Sequence, residues 1–250
     1  MASVTHDTAA AVKLADELVA EAKRKASYAA IDEHVNASTR VIGIGSGSTV
    51  VFCVDRLRER YTSESLPLLA CIPTSFQSRQ LIIEAGLPLS ELNQFPEIDV
   101  AFDGADEVDA ALNCIKGGGA CQLQEKLVAN AARKFVVVAD YRKDSRVLGT
   151  QWKLGVPLEV IPMAYVPILA KLKSLGGKPT LRMAMRKAGP VVTDNGNFVI
   201  DAEFGEITDP VKLERELITI PGIVETGLFC GMAKWAYFGG QDGKVITRKV

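Results

Sequence analysis

Histidine is scarce: His6 and His34 are the only two in 250 residues, both near the N-terminus and away from any Gly-rich or acidic cluster. A histidine-centred catalytic dyad or metal site therefore has almost nothing to draw on. If the chain is an enzyme, its proton-transfer groups are expected to be carboxylates and lysines. Five cysteines (Cys53, Cys71, Cys114, Cys121, Cys230) make an odd number with no C-x-x-C pair, which argues against a disulfide framework and a structural zinc site. No apolar run approaches the roughly 18 residues that cross a bilayer. The opening MASVTHDTAA has neither the basic n-region nor the apolar h-region of a secretory signal, so a soluble, cytoplasmic protein is expected. Charge of one sign is lacking too: 29 Lys and Arg against 30 Asp and Glu leave a net charge of −1, no field to hold a polyanion. Neither nucleic acid nor a membrane is expected as a partner. No internal repeat and no low-complexity tract is found.

What is present is a globular composition, 48% hydrophobic and 24% charged, long enough to bury a sizeable core. From Thr8 to about Val35, apolar residues such as Val12, Leu14, Leu18 and Ala22 recur at helical spacing, predicting an amphipathic helix, whole or broken once. Val41 to Ile44 then reads as a buried strand, followed by the turn Gly45-Ser46-Gly47-Ser48-Thr49 and a helix from Val50. The unit recurs through Leu68–Ile72, Ile98–Phe102 and Phe135–Ala139, and strands alternating with helices imply βαβ units. Beyond Trp152 the prolines crowd, Asn195-Gly196 signals a turn, and Asp209-Pro210 opens a helix with Asp at the N-cap. The expected fold is α/β, a mostly parallel Rossmann-like sheet flanked by helices over 1–151 and 230–250, with a smaller α+β domain over 152–229.

Ligands of an open parallel sheet sit beyond the carboxyl ends of its strands, so the loops just after strands carry the search. Small residues and hydroxyls in Gly45–Thr49 let backbone N–H groups approach an anion at a helix N-terminus, which suits a phosphate monoester. The same loop can equally be a Ser/Gly helix cap. The acidic run Asp103-Gly104-Ala105-Asp106-Glu107 reads as solvated or capping carboxylates, as a polyol and proton-transfer surface, or as a magnesium site. Lys116-Gly117-Gly118-Gly119, costly in backbone entropy, reads as close approach of a ligand or as a plain linker; in the first case Lys116 is placed to neutralise charge on a substrate oxygen. Glu125, on the next helix, is either a general base raised by burial or an exposed helix carboxylate. Lys143, in Asp140-Tyr141-Arg142-Lys143, is either a phosphate ligand or a solvated lysine.

In order and spacing, GIGSGST (43–49), IPTSFQSRQLI (72–82), DGADEVD (103–109), KGGGACQLQEK (116–126), VVADYRK (137–143), PLEVIPMA (157–164), GPVVTDNGNF (189–198) and IPGIVETGLF (220–229) resemble ribose-5-phosphate isomerase of the A type, over nearly the whole chain. The resemblance implies an aldose–ketose isomerase that converts D-ribose 5-phosphate to D-ribulose 5-phosphate through an enediolate, with no cofactor and no metal. Glu125 would be the acid/base, with Lys116, Asp103 and Asp106 as the other catalytic groups. Ser46, Gly47, Ser48, Thr49, Gly104, Ala105, Gly117, Gly118, Gly119 and Lys143 would bind the sugar phosphate, in a homodimer or dimer of dimers. Two departures stand out. Ser46 replaces the Thr of many bacterial members, and Ala120-Cys121-Gln122-Leu123-Gln124 replaces a pattern common in the family, Gly-Ala-Leu-x-Arg or Gly-Cys-Leu-Thr-Gln, while keeping the spacing to Glu125. Three other functions fit parts of the pattern. A coenzyme A transferase would use a Glu nucleophile, but no second Gly-rich half is visible. A sugar-phosphate sensor would need a DNA-binding helix pair and a basic face. A metal-dependent isomerase would use the acidic loop.

Overall fold

The computed structural model describes residues 4–250, with side chains described from Lys13 onward; the first three residues of the opening segment, and the side chains of His6 and Val12, lie outside it. The first helix, α1 (Val4–His34), is continuous. Buried Ala22, Ala26, Ala30 and Ile31 form a narrow stripe on it. Small side chains one turn apart let a helix backbone lie close to its partner.

The chain then runs β1 (Val41–Ile44), α2 (Val50–Glu64), β2 (Ala70–Pro73), α3 (Phe76–Glu84) and β3 (Val100–Asp103), followed by the short strands β4 (Glu107–Val108) and β5 (Cys114–Ile115). Helix α4 (Gln122–Ala131) leads into β6 (Phe135–Asp140). Four antiparallel-sheet strands follow with two helices between them: β7 (Val156–Val160), α5 (Tyr165–Ser174), β8 (Lys178–Leu181), β9 (Phe198–Glu203), α6 (Pro210–Ile218) and β10 (Ile223–Thr226). The chain closes with β11 (Leu228–Phe229), β12 (Ala233–Gly239) and β13 (Val245–Lys249).

The main sheet has the order β13-β12-β6-β3-β1-β2. Its pairs are parallel except for the edge pair of β12 and β13. It is the expected Rossmann-like sheet, and both faces are covered. Val136 and Val138 enter the core on the side of α1 and α2, whereas Phe135, Val137 and Ala139 enter the core beside α4. That period of two, with no polar face, is what a doubly covered parallel strand requires. The tail joins this sheet, and α1 lies so close to it that a side chain at Gly239 would meet the Ala22 carbonyl oxygen at 1.9 Å.

A second, antiparallel sheet of order β10-β7-β9-β8 buries Val156, Leu158, Val160 and Ile200 against Ile168 and Leu172 of α5 and Leu217 of α6. Helix α6 begins as its Asp-Pro pair predicts, with the Asp209 side chain accepting from the Lys212 N–H. A three-stranded patch, β11-β5-β4, ties the two sheets together. The main sheet changes direction between β1 and β3, because β2 lies on one side of β1 and β3 on the other. That is the topological switch point, where a crevice opens beyond the strand ends.

Candidate active site

Two loops meet at the switch point. Gly45 ends β1 against Asp103, where a Cβ would lie 2.1 Å from the Asp103 carboxyl carbon, so only glycine lets these strand ends touch. Ser46 N–H donates to Asp103 Oδ1 at 3.1 Å, and its hydroxyl bonds those of Thr74 and Ser75. Gly47 holds φ +97°, and Thr49 is the N-cap of α2 without a capping side-chain bond. Ser46, Gly47, Ser48 and Thr49 together line a cavity of about 210 Å³. The positive end of α2 makes this rim favourable for an anion.

Three cations share the rim. Lys143 and Arg142 come from the loop after β6, and Lys23 reaches over from α1 to donate to Ser48 Oγ at 2.8 Å. Arg142 is paired with Asp140 at 2.7 Å, while Lys143 Nζ rests 5.4 Å from the Trp152 ring centroid. Burial lowers the Lys23 pKa, Asp140 opposes this, and the charges of Arg142 and Lys143 lower it further. Such a convergence of like charge is relieved by a bound anion. Lys23 was not legible in the sequence, where it is one of several lysines in an amphipathic helix.

The floor is a lysine between two carboxylates. Lys116 Nζ donates to the Gly104 carbonyl at 2.6 Å and lies 3.0 Å from Asp103 Oδ2 and 3.2 Å from Glu125 Oε2. The three side chains are 2%, 3% and 6% exposed, so one positive charge faces two buried negative ones. Asp103 Oδ1 accepts the N–H groups of Ser46 and Gly104, whereas Asp103 Oδ2 and Glu125 Oε2 have no partner among the described residues beyond their ion pairs with Lys116. Burial, then the charge of Asp103, pushes Glu125 up to about 8, against the pull of Lys116. Burial also raises Asp103, opposed by Lys116. For Lys116, burial alone would lower the pKa, but Asp103 and Glu125 outweigh it and the net shift is upward.

The acidic loop divides its carboxylates. Gly104, Ala105 and Asp106 line the cavity, and Asp106 Oδ2 accepts the Gly118 N–H at 2.7 Å. Glu107, next along in β4, points the opposite way, as strand alternation demands. It accepts the N–H groups of Gly149, Thr150, Gln151 and Trp152. Gly117, Gly118 and Gly119 complete the cavity wall. Beneath them the departure at 120–124 resolves simply. Ala120 takes a left-handed φ of +61°, Cys121 is the N-cap of α4, and buried Gln122 packs under Gly117. Burial pushes the Cys121 thiol up to about 12, so it stays protonated. Of the residues singled out in the sequence, the candidate site residues line this cavity, Asp103 joins the ion pair at its floor, and Glu107 of the acidic run turns away from it. Asp103 of the acidic loop faces the Lys116 ammonium, and among the described residues no cluster of three or more His, Cys, Asp or Glu is arranged to hold a metal. A larger, more open cleft of about 540 Å³ lies beside α3 and α4, lined by Phe76, Arg79 and Leu127, and holds none of these groups.

A phosphate-suited rim over a buried Lys–carboxylate floor, beyond the strands of a parallel sheet, defines an α/β enzyme site for a small anionic substrate. The sequence pattern of the family described as Ribose 5-phosphate isomerase A (phosphoriboisomerase A) matches residues 70–243. A ribose-5-phosphate isomerase of Sus scrofa is 56% identical over 92% of this chain and 74% of its own length. Among solved structures, a D-ribose-5-phosphate isomerase in complex with phospho-erythronic acid superimposes with a TM-score of 0.88 at 41% identity, covering 93% of this chain and 99% of that one. The ribose 5-phosphate isomerase A of Methanocaldococcus jannaschii gives 0.85 at 40% identity over 94% and 99%. The chain belongs to the ribose-5-phosphate isomerase A family.

Proposed function

We propose that the chain interconverts D-ribose 5-phosphate and D-ribulose 5-phosphate through an enediolate, as a step of the non-oxidative pentose phosphate pathway. The observation that carries this reading is Glu125, a buried carboxylate pushed up to about 8 and held 3.2 Å from a lysine at the floor of a phosphate-suited cavity. A base whose pKa lies near the working pH can both take a proton and return it. Glu125 removes the C2 proton of the open-chain aldose, exchanges it with solvent while the enediolate stands, and delivers a proton to C1. Lys116, together with backbone N–H groups of the Gly117–Gly119 loop, stabilises the oxygen on which charge develops, the kind of preorganised electrostatics that usually dominates catalysis.

Asp103 assists ring opening and carries the hydroxyl proton, and Asp106 orients the sugar hydroxyls while fixing the Gly118 N–H. The phosphate sits among Ser46 to Thr49, Lys23 and Lys143, where hydroxyls, amides and cations meet. The reaction is redox-neutral, and these side chains supply each proton and charge it requires. In this reading the larger sheet with 1–151 and 230–250 is the catalytic domain, 152–229 is a second domain, and the enzyme works in the cytoplasm as a homo-oligomer.

The test is conversion of D-ribose 5-phosphate to D-ribulose 5-phosphate by purified protein in excess EDTA, run in heavy water. Rapid conversion with deuterium appearing at C1 of the product is expected. Activity lost in EDTA and restored by magnesium would overturn the lysine-and-carboxylate mechanism, and no conversion under either condition would overturn the function.

A further inference from the structure

A glycine run has little of its own to hold it in one conformation, since each glycine samples a wider backbone space than any other residue. One bond of the loop's own, from the Ala120 N–H to the Gly117 carbonyl oxygen at 2.9 Å, closes the turn, and the Gly117 and Gly118 carbonyls are fixed from outside as well, by a residue at the edge of the antiparallel sheet. Arg182, just past β8, donates through Nη1 to the carbonyl oxygens of Gly117 at 2.9 Å and Gly118 at 3.1 Å. Its remaining donors are locked: Nε bonds Asp201 Oδ2 at 2.8 Å, and Nη2 bonds Asp201 Oδ1. Asp201 lies in β9, paired with Thr180 across the sheet, so the fork rests on a rigid element. Both side chains are 17% exposed.

We infer that Arg182, held by Asp201, is a positioning residue that sets the Gly117–Gly119 peptides so that the Gly119 N–H faces the cavity as an oxyanion donor. The inference rests on the reading of the site proposed above. In a trans peptide the C=O and the following N–H point in opposite directions, and the described residues contain no cis bond. Arg182 on the Gly117 oxygen therefore aims the Gly118 N–H away from it, and that N–H is found on Asp106 at 2.7 Å. The first peptide is held at both ends, by a cation behind and a carboxylate in front. The second is held at the Gly118 oxygen only. Its N–H, on Gly119, has no partner among the described residues, and Gly119 lines the cavity.

A guanidinium on a carbonyl oxygen also polarises that peptide, which strengthens its N–H as a donor. Arg182 touches no reacting atom in this scheme. It acts through the loop, and it gives the antiparallel sheet a part in the chemistry of the parallel one.

The variants are Arg182→Gln, Arg182→Lys and Asp201→Asn, assayed for kcat and KM with ribose 5-phosphate. They are also assayed for inhibition by 4-phospho-D-erythronate, whose carboxylate mimics the enediolate oxygens, and by inorganic phosphate, which reports the rim alone. Arg182→Gln is expected to lower kcat about 10- to 100-fold, somewhat less than deleting an oxyanion donor outright. KM and the inhibition constant of phosphate should change by no more than about threefold, since ground-state binding is untouched. Affinity for phospho-erythronate should fall with kcat. Arg182→Lys should fall between parent and Gln, because an ammonium keeps the charge and loses the fork, and Asp201→Asn should act in the same direction more weakly. A kcat within about twofold of the parent would overturn the inference, and so would equal weakening of phosphate and phospho-erythronate, which signals a collapsed site. Amide hydrogen exchange across 117–120 reads the loop without turnover: exchange about tenfold faster in Arg182→Gln is expected, and unchanged exchange overturns the clamp. A parent that fails to convert ribose 5-phosphate would remove the reading of the site, while the exchange result would still decide the clamp.

Discussion

Glu107 and Glu125 are the same residue, both almost without solvent contact, and their acidities are driven in opposite directions. For Glu107, burial alone would raise the pKa, but the N–H groups of Gln151, Gly149 and Trp152 and the hydroxyl of Ser145 outweigh it and hold the carboxyl below its ordinary range. For Glu125, burial and the nearby Asp103 charge win, and the pKa climbs to about 8. Burial therefore does not decide what a carboxylate does. Its neighbours decide it: a carboxylate whose lone pairs are filled by backbone amides away from other carboxylates is held as an anion and serves as a fastener, and one set beside a second buried carboxylate is driven toward its protonated form.

Removing each carboxylate should break the comparison in opposite ways. Glu125→Gln should lower kcat by about 10²- to 10⁴-fold, the usual worth of a positioned general base, with KM nearly unchanged and the melting temperature equal to or above the parent's. Steady-state kinetics beside a thermal melt would show it, and a kcat equal to the parent's would eliminate Glu125 as the base. Glu107→Gln should do the reverse. Losing charge-assisted bonds to buried amides costs about 2–4 kcal/mol, which at roughly 2–4 °C per kcal/mol for a chain of this size is a fall of roughly 5–15 °C, while kcat for the folded fraction stays close to the parent's.

Lys116→Met should sharpen the contrast. Without the ammonium, Glu125 faces Asp103 uncompensated and its pKa rises above about 8. In the parent, kcat/KM should increase with pH through an apparent value near 8 that belongs to the coupled trio; in the variant the rise should move to higher pH as the rate itself falls. A pH–rate profile with its midpoint left in place would show that Lys116 does not set the acidity of the base.

The smallest effect lies in stability against pH. Glu125 is raised in the folded state, so its contribution is fully present below its ordinary value of 4.5 and is lost as pH rises through about 8. Glu107 is lowered when folded, so its contribution is present above 4.5 and is lost as pH falls through the folded value. Urea midpoints measured from pH 4 to 9 should decline on the alkaline side less in Glu125→Gln than in the parent, and on the acid side less in Glu107→Gln. Parallel curves would contradict the opposed shifts.

The sequence carried the strand–loop–helix rhythm, and with it the loops in which Ser46 to Thr49, Asp103 to Asp106, Lys116 to Gly119, Glu125 and Lys143 reside. These were legible because an open parallel sheet restricts chemistry to the ends of its strands. The opposite fates of Asp106 and Glu107 were not distinguished there, since they depend on a two-residue strand too short to show alternation. Lys23 and Arg182 were invisible for another reason. Each lies in an element whose local pattern is complete without it, a helix face for Lys23 and a strand end for Arg182, and each acquires its partner only when distant parts of the chain come together. Trp152 is a similar case: its ring under Lys143 follows from the turn that Glu107 pins, which no local pattern announces.

The close seat of α1 on β12, where the Gly239 backbone meets the Ala22 carbonyl, also bears on synthesis. The helix bearing Lys23 leaves the ribosome well before the strand it rests on, about 200 residues further along the chain. Until then α1 has no finished bed, and β6, which presents Lys143, has a bare edge. A nascent chain arrested before residue 239 should therefore already contain every residue that lines the cavity, while the helix that carries Lys23 still lacks its seat.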